Sequence, residues 1–516
     1  MLYSRYRSVT LQLIGRALTV PGDDHSENGL VPATQTCGVT DDIDTRADPH
    51  GSSDEAQTAA IERVTAQYQA LAPTLGQTWA TDAPWRFLTD LTAIGSRMAG
   101  SDGEQEAASL VADAFEDAGV QAVHTESFEL LAWERGDAML SVTTTGMNGT
   151  DRTREFPALA LPYTPSGSVS GELVDVGYGT PAEIAAADVT DAIAVASTTT
   201  PPGSRFVHRM ETFGCAVEAG ASGFIFVNHV DGQLPPTGSL TFGEEATAVA
   251  VGVSSETGAW LREYARNTDG PTGTTALSVE ASVRSGTSQN VVGRLGPATE
   301  ERLVVLAHYD GHDIAEAALD NGCGITTLVT AARILAAADL QIGVDVVGVG
   351  CEEVGLLGAE HLASTTDLEQ VRGVVNVDGA GRFRDLRALT HTSETAAAVA
   401  RAVSTATGRP IAVEETPHPF SDQWPFLRRG VPSLQLHSDT AERGRGWGHT
   451  HADTRDKVDD RNLREHGMLA ALLIVEFAAP ARSPGRLASE TLAEAFREAD
   501  FETGMRAAGL WPDAWA

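Results

Sequence analysis

Three apolar runs in this chain end in residue types that bind metals. RLVVLA leads into His308, VDVVGVGC into Glu352 and Glu353, and GVVNV into Asp378. Asp320 stands in the loop ALDNGCG just before a helical stretch, and GWGHTHADTRDKVDD offers His449 or His451. Imidazole and carboxylate without thiolate suit Zn²⁺, Mn²⁺ or Co²⁺ better than a thiol-ligated structural site. Three carboxylates with two imidazoles are the natural set for two ions about 3.5–4 Å apart, bridged by one carboxylate and a water. The adjacent Glu352 and Glu353 point in different directions just past a strand end, so one can bind metal while the other reaches the water. The competing reading is a pair of solvated glutamates favoured by a helix N-terminus. A fully apolar strand running straight into the pair argues against it.

Such residues meet only if the elements before them lie side by side. After Asn290, RLVVLAH, VDVVGVG and GVVNVDG read as strands, and GITTLVTAARILAAA and VGLLGAEHLA as the helices between them. Strands apolar on both faces, alternating with helices, predict a mixed, largely parallel α/β sheet covered on both faces. In such sheets ligands bind at the carboxyl ends of the strands, where the metal-binding types stand. Further upstream, helical spacing starts near Ala59, a helix ends at Gly119, and strands are expected at 122–128 and 138–144. Between 150 and 285, short β-like runs such as AIAVAS, SGFIFVN and AVAVGVS alternate with Pro- and Gly-rich turns, which predicts a β-rich insertion. The expected division is an acidic, mobile leader over 1–56, a catalytic domain over 57–149 and 286–482, the insertion over 150–285, and a C-terminal segment over 483–516. That last segment reads as one or two amphipathic helices ending in exposed aromatics.

Taken together, HYDGHDIAEAALDNGCG, CEEVGLLGAEHLA, VVNVDGAG, FSDQWPF and HTHADTRDKVD resemble the co-catalytic di-zinc aminopeptidase family. Its relatives include the glutamate carboxypeptidases and the catalytically dead transferrin-receptor ectodomain. The resemblance covers about 85–145 and 286–480. It implies that Asp320 bridges two divalent ions, most naturally Zn²⁺ with Mn²⁺ or Co²⁺ as alternatives. His308 and Asp378 then complete one site, and Glu353 and His449 the other. It further implies Glu352 as general base, Asp310 as the carboxylate orienting the His308 imidazole, and a cis peptide bond between Asp320 and Asn321. The family spacing His-Thr-two residues-Asp-Thr matches His449, Thr450, Asp453 and Thr454, which leaves His451 at the rim. His312 and Asp313 lie in the same loop, as substrate contacts or as surface residues. Cys323 and Cys351 are expected to pack.

The run CAVEAGASGFIFVNHV followed by AVAVGVS resembles a protease-associated domain, a wall beside the cleft that restricts substrates to short peptides. The implied activity is a metallopeptidase that removes N-terminal residues, because an acidic rim favours a cationic terminus. A dipeptidase or carboxypeptidase of the same family, or a non-catalytic receptor-like scaffold, are the alternatives. A serine hydrolase is disfavoured, since no GxSxG elbow follows a strand.

The 516 residues include 71 Asp or Glu against 36 Lys or Arg, a formal net charge of −35. That sign disfavours nucleic acid and anionic membranes as partners, and no apolar run is long enough for a membrane span. The scattered cysteines form no metal or disulfide framework, so the expected compartment is the cytoplasm, with secretion and self-association left open. Lys457 is the only lysine. A salt-adapted surface explains the acidity, and a GC-rich genome is the alternative source of the arginine bias. Salt at about 1 M shortens the Debye length to roughly 3 Å and so relieves self-repulsion. Circular dichroism should therefore show the fold gaining thermal stability between dilute buffer and molar KCl; full folding in dilute buffer with no response to salt contradicts the salt-adapted reading.

Overall fold

The computed structural model describes residues 49–146, 148–266, 273–440, 446–482 and 484–515, with side chains from Glu55 onward. Gly51–Ala516 forms one compact unit. Of the expected leader, residues 1–48 lie outside the described residues. From Pro49 the chain is helical, in one element Pro49–Ala80, so regular structure starts earlier than Ala59. Pro is well tolerated at a first helical position, where its missing N–H has no intrahelical partner to lose.

The runs at Arg302–His308, Gly343–Val349, Val371–Val377 and Ser433–Ser438 form the parallel centre of a ten-stranded sheet. The interior of Arg302–His308 is an unbroken apolar stretch because both faces are covered. Leu303, Val305 and Ala307 face a layer containing Phe115, Ile325, Leu328 and Leu472. The alternate residues Val304 and Leu306 pack with Ala359, Leu362 and Phe426 on the other face. Antiparallel strands extend the sheet beyond Gly343–Val349, first Thr274–Leu295, then Gln121–Thr145 and Asp151–Phe156. The architecture is thus a mixed α/β sheet flanked by helices, with its parallel strands at the centre.

The two strands expected at 122–128 and 138–144 are one 25-residue strand, Gln121–Thr145, paired with the 22-residue Thr274–Leu295. ERGD at 134–137 resembles a turn in sequence but forms a bulge. The register shifts between Arg135 and Ala138, and a Cβ on Gly136 would lie 2.3 Å from the Glu280 carbonyl oxygen.

The insertion builds its own five-stranded sheet from Leu159–Ala160, Leu173–Asp175, Ile193–Ser197, Gly223–Val227 and Val249–Val253. Boundaries at 150 and 285 do not follow this division. Asp151–Phe156 and the first half of Thr274–Leu295 hydrogen-bond within the large sheet, so they read as β-rich without belonging to the insertion.

The C-terminal segment contains helices Ser489–Glu498 and Glu502–Ala507 and a short 3₁₀ turn at Asp513–Trp515. Its aromatics are not exposed. Phe496, Phe501, Trp511 and Trp515 form a buried cluster with Trp424, Leu356 and Leu427 of the catalytic part. An amphipathic helix hides its apolar stripe wherever a partner surface is available, and here the chain supplies its own.

Candidate metal centre

His308, the last residue of its strand, and Asp378, the residue after Val377, project from neighbouring parallel strands. Glu352 and Glu353 follow the strand Gly343–Val349 across a turn in which Cys351 has φ 59°. Asp320 precedes the helix Cys323–Leu335, and the Asp320–Asn321 peptide bond is cis. His449 arrives from the far end of the chain with φ 58°. A positive φ is unfavourable for residues other than glycine, and such residues cluster where function over-determines the backbone.

These side chains converge. The Asp320 carboxylate lies between two imidazoles: Oδ1 is 3.6 Å from His308 Nε2 and Oδ2 is 3.1 Å from His449 Nε2. Asp378 Oδ1 is 3.8 Å from His308 Nε2, and Glu353 Oε2 is 3.0 Å from His449 Nε2. Two groups of metal-binding atoms result. One is His308, Asp320 and Asp378; the other is His312, Glu353 and His449, each within 4.8 Å of one another. His451 is exposed and directs Nδ1 to the Ile314 carbonyl, away from both groups.

The tautomers show what the groups require. His308 Nδ1 donates to Asp310 Oδ1 over 3.2 Å, and His449 Nδ1 donates to the Thr237 carbonyl over 3.2 Å. In a neutral ring each Nε2 then carries a lone pair, aimed at carboxylate oxygens. A cation between them removes that conflict, which a well-formed protein–protein hydrogen bond does not: His308 Nε2 and Glu353 Oε1 are buried with no hydrogen-bond partner. The residues therefore fit divalent cations on the chemistry of their donor atoms.

Without a cation, the same groups shift one another's titration. Burial works against charge on His308, but Glu352, Asp310, Asp320 and Asp378 outweigh it and raise its pKa well above the usual value. Burial likewise pushes Asp320 upward, while Arg382, His308 and His449 prevail and hold it well below the carboxylate range. Asp378 is held down at about 2, with burial opposed by His308 and Arg382. Glu352 goes the other way: burial, together with Asp422, Glu353 and Asp378, outweighs His308 and raises it well above 4.5.

Asp310 is fully buried and does more than orient His308. Its two oxygens accept from the backbone N–H groups of Glu352 (3.2 Å) and Glu353 (3.1 Å), so one carboxylate sets both the imidazole and the glutamate turn. Several further residues support the donors, among them Arg382, Gln435 and Arg97, to which the sequence assigned no role. Arg382, four residues after Asp378, reaches Asp320 Oδ1 at 2.7 Å. Its visible signal was an arginine amid the small residues of DGAGRF. Ser421 (2.6 Å) and Gln435 (3.3 Å) donate to Asp378 Oδ2. Asp453 accepts from the N–H groups of Leu319 (2.6 Å) and Asp320 (3.1 Å). Arg97 donates to the carbonyls of Tyr309, Glu316 and Ala317, pinning the loop that carries His312. Cys323 and Cys351 are buried, with burial raising both thiols.

Glu104, from the first turn of the helix Asp102–Asp117, closes the support. Its Oε1 accepts from Cys351 N (3.1 Å) and Ser288 Oγ (2.9 Å), and Oε2 from Gly100 N (2.7 Å). Burial, then Asp310, raises its pKa from 4.5 to about 8. The native state therefore holds a proton that the unfolded chain has already released, and this contribution to stability is lost as pH rises between those two values. Thermal melts of metal-free Glu104→Gln should shift in the variant's favour relative to wild type between about pH 5 and 8.5, by up to roughly 4 kcal/mol. A difference that does not vary with pH contradicts the assignment.

Comparison with known proteins places this geometry. Residues 290–474 match the model of peptidase family M28 and residues 169–261 that of the PA domain. Aminopeptidase YwaD of Bacillus subtilis (strain 168) is 25% identical over 294 residues, 54% of this chain and 62% of that protein, so the matched region spans under two thirds of the relative. Among solved structures, a peptidase M28 precursor from Shewanella amazonensis SB2B superposes with a TM-score of 0.66 at 22% identity, covering 84% of this chain and 99% of that one. An aminopeptidase from Aneurinibacillus sp. strain AM-1 does so with a TM-score of 0.58 at 24% identity, covering 83% and 98%. The fold, the donor set and both matches agree: residues 290–474 are similar to peptidase family M28, and residues 169–261, ahead of them in the chain, are similar to the PA domain.

Proposed function

We propose that this chain is a metal-dependent aminopeptidase that removes N-terminal residues from short peptides. The observation that carries the reading is the placement of Asp320 between the His308 and His449 rings with Glu352 beside it. His308, Asp320 and Asp378 would hold one divalent ion and Asp320, Glu353 and His449 a second, zinc by the donor chemistry. Bound there, the ions would supply Lewis acidity and a water acidified toward neutral pH.

The protein's own groups perform the remaining work. Glu352 lines a cleft of about 310 Å³ together with Asp320, Glu353, Asp378 and His449. A carboxylate placed there can take a proton from the attacking water and return it to the leaving amine. The same cleft is lined by Phe206, His208 and Arg209 of the PA domain, with His208 stacked on Phe420 at 4.1 Å. A wall contributed by the insertion supports a preference for short substrates. The aminopeptidase named among the relatives supports release from the amino end.

Glu352→Gln should retain its metal and lose about 10²–10⁴-fold in kcat on a free-amine peptide, because the amide keeps the shape but cannot take a proton. Wild type should cleave N-acetylated peptides far more slowly than free ones. Unchanged kcat in the variant removes Glu352 as the base, and release of residues from the carboxyl end turns the assignment to a carboxypeptidase of the same fold.

A further inference from the structure

We propose that His312 is a fourth protein donor to the ion held by Asp320, Glu353 and His449, which makes the two ions of the centre unequal. The proposal rests on the metal-dependent reading above and goes beyond it, since that reading needs only three donors at this ion.

His312 is buried; its Nδ1 has no hydrogen-bond partner, and its Nε2 meets Glu353 Oε2 without the alignment of a hydrogen bond. A buried imidazole whose nitrogens are left this poorly satisfied calls for a ligand. Its Nε2 is 3.0 Å from Glu353 Oε2, and its ring lies edge-on to His449 with centroids 4.5 Å apart. The spacings from His449 Nε2 to Glu353 Oε2 and to Asp320 Oδ2 are 3.0 and 3.1 Å. Donors about 2.0–2.1 Å from one tetrahedral ion stand roughly 3.3 Å apart, so all three separations are near those of a shared coordination shell.

A cavity of about 10 Å³ lies among these groups, lined by His312, Asp320, Glu353 and His449. That is the lower limit for a single water and suits one small ion. The loop does not leave His312 free to swing. Asp313 is paired with Arg135 at 2.6 Å, and Gly311 N donates to the Arg97 carbonyl at 3.1 Å.

The consequence is chemical. The ion at His312 would have two imidazoles and two carboxylates, against one imidazole and two carboxylates at the His308 side. The first ion would be held more tightly and leave last, and the second would be the exchangeable one.

The test uses the full chain, stripped of metal and titrated with Zn²⁺ against a chromophoric chelator, and with Co²⁺ by visible absorption. Wild type should bind one ion tightly and one more weakly. His312→Ala should weaken the tight ion by about 100-fold or more and leave the other unchanged, with an altered Co²⁺ band. His312→Gln, which retains most of the volume, should show the same loss, so that a collapsed cavity is not the cause. Two ions bound with wild-type affinities and spectra in both variants overturn the His312 assignment alone, also where KM rises through a lost substrate contact. A wild-type chain that binds no ion overturns the metal-dependent reading and the His312 assignment together.

Discussion

Buried negative charge is the constraint from which the rest of this molecule can be understood. Asp310, Asp320, Glu353, Asp422 and Asp453 are all buried around one crevice, with Glu352 and Asp378 at its edge. Like charges taken out of water repel strongly, and their desolvation is not recovered without partners of opposite sign. Arg382 against Asp320 and the Arg97 guanidinium are fixed parts of the balance. The imidazoles of His308, His312 and His449 are placed where they could coordinate a cation. The centre is thus built for cations, and the carboxyl ends of parallel strands are where a doubly covered sheet can present so many polar groups at once.

The inserted PA domain takes part in that balance and is more than a wall. Thr237 and His449 exchange two hydrogen bonds, Thr237 N to the His449 carbonyl at 2.9 Å and His449 Nδ1 to the Thr237 carbonyl at 3.2 Å. The His449 imidazole is therefore oriented by a backbone carbonyl of the insertion, in the way an outer partner orients a metal-binding histidine. Arg135, on the longest strand of the sheet, links Thr237 Oγ1 (3.1 Å) to Asp313 (2.6 Å). The C-terminal segment joins the same two parts. Met505 and Phe501 pack with Trp424, and Arg205 of the insertion pairs with Glu211 and donates to the Asp500 carbonyl.

How much of this was legible follows from where each signal lies. The catalytic strands were readable because burial on both faces leaves unbroken apolar runs, and the donors were readable because they end those runs. Residues whose roles depend on contacts between distant segments left no such mark. Glu104 and Cys351 are 247 positions apart, and Arg135 and Asp313 are 178 apart. The single strand Gln121–Thr145 was expected as two, because a bulge interrupts the apolar pattern locally much as a chain reversal does. Trp511 and Trp515 looked exposed because the surface that buries them belongs to Trp424 and Leu356, which a local window cannot include. His312 was ambiguous in sequence for a related reason: its neighbour Asp313 ties down the loop only through Arg135.

The most direct measurement is anomalous diffraction at the zinc absorption edge from crystals of the full chain grown with Zn²⁺. Two peaks are predicted, one among His308, Asp320 and Asp378 and one among Asp320, Glu353, His449 and His312, sharing Asp320. Full-occupancy data with no peak in this crevice would mean that its buried carboxylates are balanced by protons and arginine alone, and would contradict a cation-dependent centre.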